Sequence, residues 1–193
     1  LCSCSNSASV GESKIKVMLL TGQSSKYHNW KLSGVLLENH LKAVDQFEVS
    51  TVVSPAQGAD MSGFSPDFAA YDVVVLDYEG DAWPELTRKA FEHYVRNGGG
   101  LVSVHATDNA FGDWPAFNEM IGVGGWGGRD DDFGPKIHWF EGEARLLESP
   151  GSAMHPSKHD FEVVTRAPEH PVMKGLPEAW LHPSDEIYSR LRG

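Results

Sequence analysis

Apolar runs separated by amphipathic stretches set the pattern of the first half of the chain. "KIKVMLLTG" at 14–22 is rich in aliphatic and β-branched residues and ends on Gly22, as a buried first strand does. "NWKLSGVLLENHLKAV" at 29–44 sets Trp30, Val35, Leu36, Leu37 and Leu41 near helical spacing. "FEVSTVVS" at 47–54 predicts a second strand, stopped by Pro55. "YDVVVLDYEG" at 71–80 is apolar throughout its middle and predicts a central strand. "WPELTRKAFEHYVRNGGG" at 83–100 has the marks of a helix, with Pro84 at its start, Glu85 in the first turn, Arg96 in the last and glycines beyond. "LVSVHA" at 101–106 predicts another buried strand, and "DWPAFNEMIG" at 113–122 a helix closed by Gly122.

Strands alternating with helices through short connections mean right-handed βαβ units and a parallel sheet. From 122 to 160 the pattern changes. The stretch is rich in glycine and tryptophan, and reads as a long irregular segment of the kind that lies over a site. Beyond it, "FEVVTR" at 161–166 alternates like an edge strand, "HPVMKGLP" at 170–177 suggests a short helical turn, and "DEIYSRLRG" at 185–193 suggests a further strand.

Composition narrows the partners. The 193 residues carry a formal net charge of −11, which argues against nucleic acid, whose phosphates demand a basic face. No apolar run is long enough to cross a bilayer as a helix. The two cysteines, Cys2 and Cys4, stand at the extreme N-terminus, so no thiol nucleophile or zinc–thiolate site lies within the fold. Leu1-Cys2-Ser3-Cys4 resembles the end of a bacterial lipoprotein signal, with residues 1–13 as an anchored tether and Cys4 as the lipidated residue. This predicts a lipid-anchored protein of the bacterial periplasm or outer surface.

Open α/β sheets bind ligands beyond the carboxyl ends of their strands. His105, where the 101–106 run ends, and His28, in the loop after the first strand, are therefore candidate catalytic residues. Gln23 shares the His28 loop, and Asn109 follows His105; both are candidate substrate-binding residues. Asp185, Glu186 and Tyr188 form a third candidate catalytic group, since a carboxylate can orient an imidazole or take a proton. On a strand Asp185 and Glu186 point to opposite faces, so one of them serves the site. Trp126, Arg129 and His159, in or beside the irregular segment, suit a sugar, whose C–H faces pack on aromatic rings. Arg129 beside Asp130, Asp131 and Asp132 also reads as a surface ion pair.

Other chemistries find less support. Residues 122–127 fit G-x-G-x-x-G but follow a helix, so the dinucleotide reading fails its context. No G-x-S-x-G elbow occurs, and no clear second carboxylate suggests a glycosidase. His28, His105, His138 and His159 with a carboxylate leave a divalent metal open.

"TGQSSKYHNWK", then glycine–glycine–glycine–strand–His105, then "HPVMKGLP" and "DEIY", together resemble the ThuA-like family of trehalose-utilisation proteins over residues 14–193. "NEMIGVGGWGGRD" and "LHPSDEIYSRLRG" are similar to a secreted subgroup from gut-type bacteria. Where the wider family has Gly-Gly-Phe followed by His-Pro, this chain has residues 124–129, GGWGGR. The resemblance implies an α/β, flavodoxin-like three-layer sandwich with a mostly parallel sheet, akin to class I glutamine amidotransferases. Histidine at 105 replaces their catalytic cysteine and excludes the thioester chemistry. The resemblance also implies further strands after "LRG", so that the 14–193 domain is truncated at its C-terminus.

On function, it implies carbohydrate catabolism through keto-sugar intermediates, with a small-molecule carbohydrate as partner. Proton-transfer chemistry of the isomerase or lyase type then needs a base, His105 with Asp185 or Glu186, and a donor, His28 or Tyr188. The rival reading is a non-catalytic sugar-binding or scaffold module on the same fold.

Overall fold

The structure is a computed structural model that describes residues 13–193; the lipoprotein-type start, Cys4 included, lies outside the described residues. The chain divides into two compact units, one ending at Gly122 and the other formed by Val123–Gly193.

The first unit is built on β1 (Ile15–Thr21), β2 (Phe47–Val53), β3 (Val73–Leu76) and β4 (Gly100–Ser103). All pair in parallel, in the order β2-β1-β3-β4. The connections carry α1 (Trp30–Lys42) and α2 (Glu85–Arg96), and α3 (Pro115–Ile121) follows β4. The side-chain period of two along a strand explains the layers. Val17 and Leu19 of β1, with Val75 of β3, pack with Leu37 and Leu41 of α1 on one face. Met18, Leu20, Val74 and Leu76 point the other way, into a larger cluster with Phe91 and Tyr94 of α2 and Phe117 of α3. Two apolar faces on one sheet, each covered by helix, make the three-layer α/β sandwich that the resemblance implies, on the parallel sheet that the apolar runs predict.

Several expectations are corrected in detail. The strand assigned to 101–106 ends at Ser103; His105 instead opens a tight 3-10 turn, His105–Asn109. On α1 the face toward the sheet runs through Gly34, Leu37 and Leu41, whereas Val35 and Leu36 are exposed.

In the second unit the segment expected to be irregular contains an antiparallel hairpin, β5 (Lys136–Phe140) with β6 (Glu143–Leu147). Phe140 pairs with Glu143, and the two loop residues Glu141 and Gly142 both have positive φ, 50° and 87°. That is the backbone of a tight hairpin turn whose twist matches its strands. The 161–166 strand is β7 (His159–Val164), and it pairs antiparallel with β8 (Ala179–Asp185). The expected strand at 185–193 is not formed. β8 ends where that strand was to begin, because Ser184 turns to φ 26° and the Asp185 carboxylate accepts the Glu186 amide at 2.8 Å. Arg190, at φ 60°, interrupts the extended path again, and isolated bridges take its place, Met154 with Ser189 and both Gly124 and Lys136 with Arg192. "HPVMKGLP" carries one 3-10 turn at Pro171–Met173.

Candidate functional site

Parallel strands end at one edge, so the loops after β1, β3 and β4 share it. In a sheet ordered β2-β1-β3-β4 the chain reverses its direction of growth between β1 and β3. That switch point opens a crevice at the carboxyl edge. His28 follows β1 and His105 follows β4, and their imidazoles meet edge to face with ring centroids 4.7 Å apart. Residues 77 positions apart in the chain thus face each other at the end of the sheet.

The local structure that brings them there is heavily bonded. Ser24 Oγ donates to the His28 carbonyl at 2.7 Å and accepts the Trp30 amide at 3.3 Å, which shapes the entry to α1. The Ser25 amide donates to Glu79 Oε2 at 3.3 Å, tying the same loop to the one after β3. On the other side, buried Thr107 donates its hydroxyl to the Leu76 carbonyl at 2.8 Å and accepts the Tyr78 amide at 3.0 Å. The Val104 amide also donates to Leu76. The His105 turn is therefore stitched to the end of β3.

His105 has φ 41°, in the left-handed region that a side chain bearing a Cβ seldom adopts. Such outliers persist only where the surroundings over-determine them, and they cluster at working sites. The imidazole at 105 is exposed and that at 28 half-buried, so both are open to a ligand.

Two carboxylates at this edge went unread in the sequence. Asp77, directly after β3, accepts from Ser33 Oγ at 2.8 Å and from Thr21 Oγ1 at 3.4 Å. Glu79 holds the Ser25 amide, as above. Both lie in "LDYEG", and the signal for them was their place just past a wholly apolar run.

Gln23 has a different role from the one expected. It is 2% exposed; its amide nitrogen donates to the Pro55 carbonyl at 2.8 Å and its amide oxygen accepts the Asp81 amide at 2.7 Å. It braces the loops after β2 and β3 against the loop after β1. A side chain at Gly80 would run into that amide, so glycine is required there. Asn109 closes the 3-10 turn that His105 opens and is half-buried.

The remaining candidates belong to the second unit. Asp185 Oδ2 lies 3.1 Å from His182 Nε2, so the imidazole it meets there is that of His182. The Glu186 amide first, and His182 second, hold the Asp185 carboxyl below the usual carboxylate range. Glu186 follows the end of β8, so the alternation argued for the pair does not apply. His159 is exposed, its Nδ1 donates to the Ser157 carbonyl at 2.9 Å, and its ring lies 6.0 Å from that of Phe161. Trp126 and Tyr188 come together with ring centroids 4.5 Å apart.

Arg129 does not lie at the surface. It is 2% exposed, and its Nη1 donates to the Trp126 carbonyl at 2.8 Å. Among the described residues, no three His, Cys, Asp or Glu side chains group closely enough to hold a metal ion, and no helix is long and apolar enough to cross a membrane.

Comparisons place this arrangement among known proteins. The family model ThuA, described as trehalose utilisation, matches residues 16–192. A ThuA-like protein of known structure from Parabacteroides merdae is 47% identical, with a TM-score of 0.88 over 94% of this chain and 64% of its own. A second, from Bacteroides uniformis, is 20% identical with a TM-score of 0.58 over the same shares, 94% and 64%, and supports the fold alone. The chain thus spans 64% of the length of either solved relative. Comparison with curated proteins finds no match. With the family model matched across both units, this chain belongs to the ThuA family of trehalose utilisation.

Proposed function

We propose that the chain acts in carbohydrate catabolism by proton-transfer chemistry of the isomerase or lyase type. Its substrate is a keto-sugar or a keto-disaccharide derivative related to trehalose, and His28 and His105 form the acid–base pair. The observation that carries this reading is the contact of the two imidazoles, 4.7 Å between centroids, at the carboxyl edge of the sheet. A carbonyl acidifies the C–H bond beside it. One neutral imidazole takes that proton while the other, as N–H, donates to the carbonyl oxygen as it gains charge. Where the deprotonated carbon bears a hydroxyl, the enediolate accepts a proton at the former carbonyl carbon as that hydroxyl gives up its own and becomes the new carbonyl, which is isomerisation; where a β-substituent can leave, the enolate expels it, which is elimination.

Two imidazoles suit this work because one can be proton acceptor while the other is donor near neutral pH. Asp77 and Glu79 supply carboxylates at the same edge; Asp185, Glu186 and Tyr188 remain proposed participants, with Asn109, Trp126, Arg129 and His159 as proposed substrate contacts. Gln23 serves indirectly, through the loop it braces. The protein works in the bacterial periplasm or at the outer surface, lipid-anchored through Cys4.

The test is incubation with 3-keto-glucosides in deuterated water, followed by proton NMR, with and without a chelator. Deuterium should enter beside the ketone, and His105→Asn, which tolerates the same backbone, should slow that exchange by about a hundredfold or more. Exchange at the wild-type rate in His105→Asn removes the assignment. Binding of keto-sugars with no exchange in the wild type favours the non-catalytic module.

A further inference from the structure

Three aromatic side chains of the second unit, distant in sequence, converge. Trp126 and Tyr188 lie 4.5 Å apart at 69°, Trp126 and His155 6.0 Å apart at 54°, and His155 and Tyr188 6.1 Å apart at 41°. Rings at those inclinations form a corner and not a stack. Trp126 and Tyr188 are half-buried and His155 is exposed, so the corner opens to solvent.

The backbone beneath it is fixed. Met154 and Ser189 exchange both amide hydrogen bonds, at 3.1 and 2.9 Å, which sets His155 opposite Tyr188. Gly124 and Arg192 exchange theirs at 2.8 and 2.9 Å, just before Trp126. The Trp126 carbonyl is held by the buried Arg129 guanidinium. His155 Nδ1 donates to the Pro156 carbonyl at 3.0 Å, which leaves Nε2 as an acceptor on the exposed ring.

We infer that Trp126, His155 and Tyr188 form a stacking subsite for a pyranose ring. The C–H face of the sugar lies on an aromatic wall, and His155 Nε2 accepts from a ring hydroxyl. A rigid aromatic corner adds contact area with little side-chain ordering on binding. The choice of a sugar as ligand class rests on the carbohydrate reading above; the corner itself does not.

The experiment uses the chain as it stands, with α,α-trehalose and methyl α-glucopyranoside as probes. Binding is read by isothermal titration and by saturation-transfer NMR. The wild type should bind, with saturation strongest at the ring C–H protons. Trp126→Ala should weaken binding about tenfold, and His155→Ala, at an exposed position, about threefold. Circular dichroism checks each fold; should Trp126→Ala unfold, Trp126→Leu and His155→Ala decide.

Wild-type affinity in folded Trp126 and His155 variants, or no binding by the wild type, overturns the subsite. If those variants bind normally while His105→Asn loses isotope exchange, the subsite falls and the acid–base reading stands. If they lose binding while no variant and no wild type exchanges deuterium, the reverse holds.

Discussion

The two units are held together by different physics. In the first, fourteen buried residues form one apolar cluster that includes Phe64, Phe68, Trp83, Phe91, Trp114 and Phe117. Burial of aromatic and aliphatic surface dominates there, and it is non-directional. In the second, the large buried side chains are cations. Arg129, Lys136 and Arg192 are 2%, 3% and 1% exposed, and Ala153 is the one buried apolar side chain among that unit's described residues. Arg192 Nη2 donates to Asp131 Oδ1 at 2.6 Å and to the carbonyls of Ser149 and Gly151, and its Nη1 donates to that of Gly134. Lys136 donates to the Pro150 carbonyl. Loops that form no ladder leave carbonyls without strand partners, and guanidinium forks satisfy several at once. The lesson is that a loop-rich unit can be organised by donors reaching into it, where a sheet is organised by surface leaving water.

The largest expected effect comes from breaking the apolar side. Phe91→Ala should cost about 3–5 kcal/mol, read as a fall in the urea midpoint. A loss under 1 kcal/mol would mean that the cluster does not govern the unit. Next is Arg192→Met, which keeps bulk and removes the donors; several carbonyls then lose partners, at about 2–3 kcal/mol. Native-state hydrogen exchange should show the loss at the Gly124 and Ile137 amides, with those of β1 unchanged. Equal loss of protection in β1 would erase the contrast.

Alkaline pH should separate the units without large mutations. Burial pushes the Tyr78 and Tyr94 hydroxyls above the ordinary tyrosine range, Tyr78 further. Between the ordinary value near 10 and the raised ones, the folded state binds more protons than the unfolded, so stability falls with rising pH. Lys136 is pulled the other way, by burial first and the Arg192 charge second. Between its lowered value and the ordinary one, the unfolded state binds more protons, so its contribution rises with pH. Tyr78→Phe should flatten the alkaline loss in urea midpoints, and Lys136→Met should steepen it; the opposite signs would refute the assignment.

The smallest effect is at the hairpin turn. Glu141→Asn suits the positive φ and should stabilise by about 0.5 kcal/mol. The gain is reduced by loss of the exposed ion pair with Arg145, 3.1 Å. A clear destabilisation would count against that turn geometry.

Legibility in the sequence follows the same division. The βαβ order could be read because apolar runs are what burial on both faces of a sheet demands: "VMLL", "VVVL" and the strand before His105 all lie where expected. The second unit could not, because a buried arginine has no periodicity. The β5–β6 ladder hid in a glycine-rich segment, although Glu141-Gly142 between "KIHWF" and "EARLL" was a hairpin signal. β8 was masked by Pro183, and the motif after it was extended too far. At the site, His28 and His105 were recognised as polar residues past strand ends. Asp77 and Glu79 meet the same criterion, and Gln23 reads as a ligand contact because its bracing partners are backbone groups far along the chain.

The left-handed turn at position 105 has one more consequence. Glycine would sit there without torsional penalty, and its introduction should make the protein more stable by up to about 1 kcal/mol. Folding alone would therefore choose a residue with no side chain where the chain keeps an imidazole. A glycine variant that gains thermal tolerance would measure, in degrees of melting temperature, what the side chain at 105 costs the scaffold, and loss of isotope exchange in the same variant would tie that cost to the proposed acid–base role.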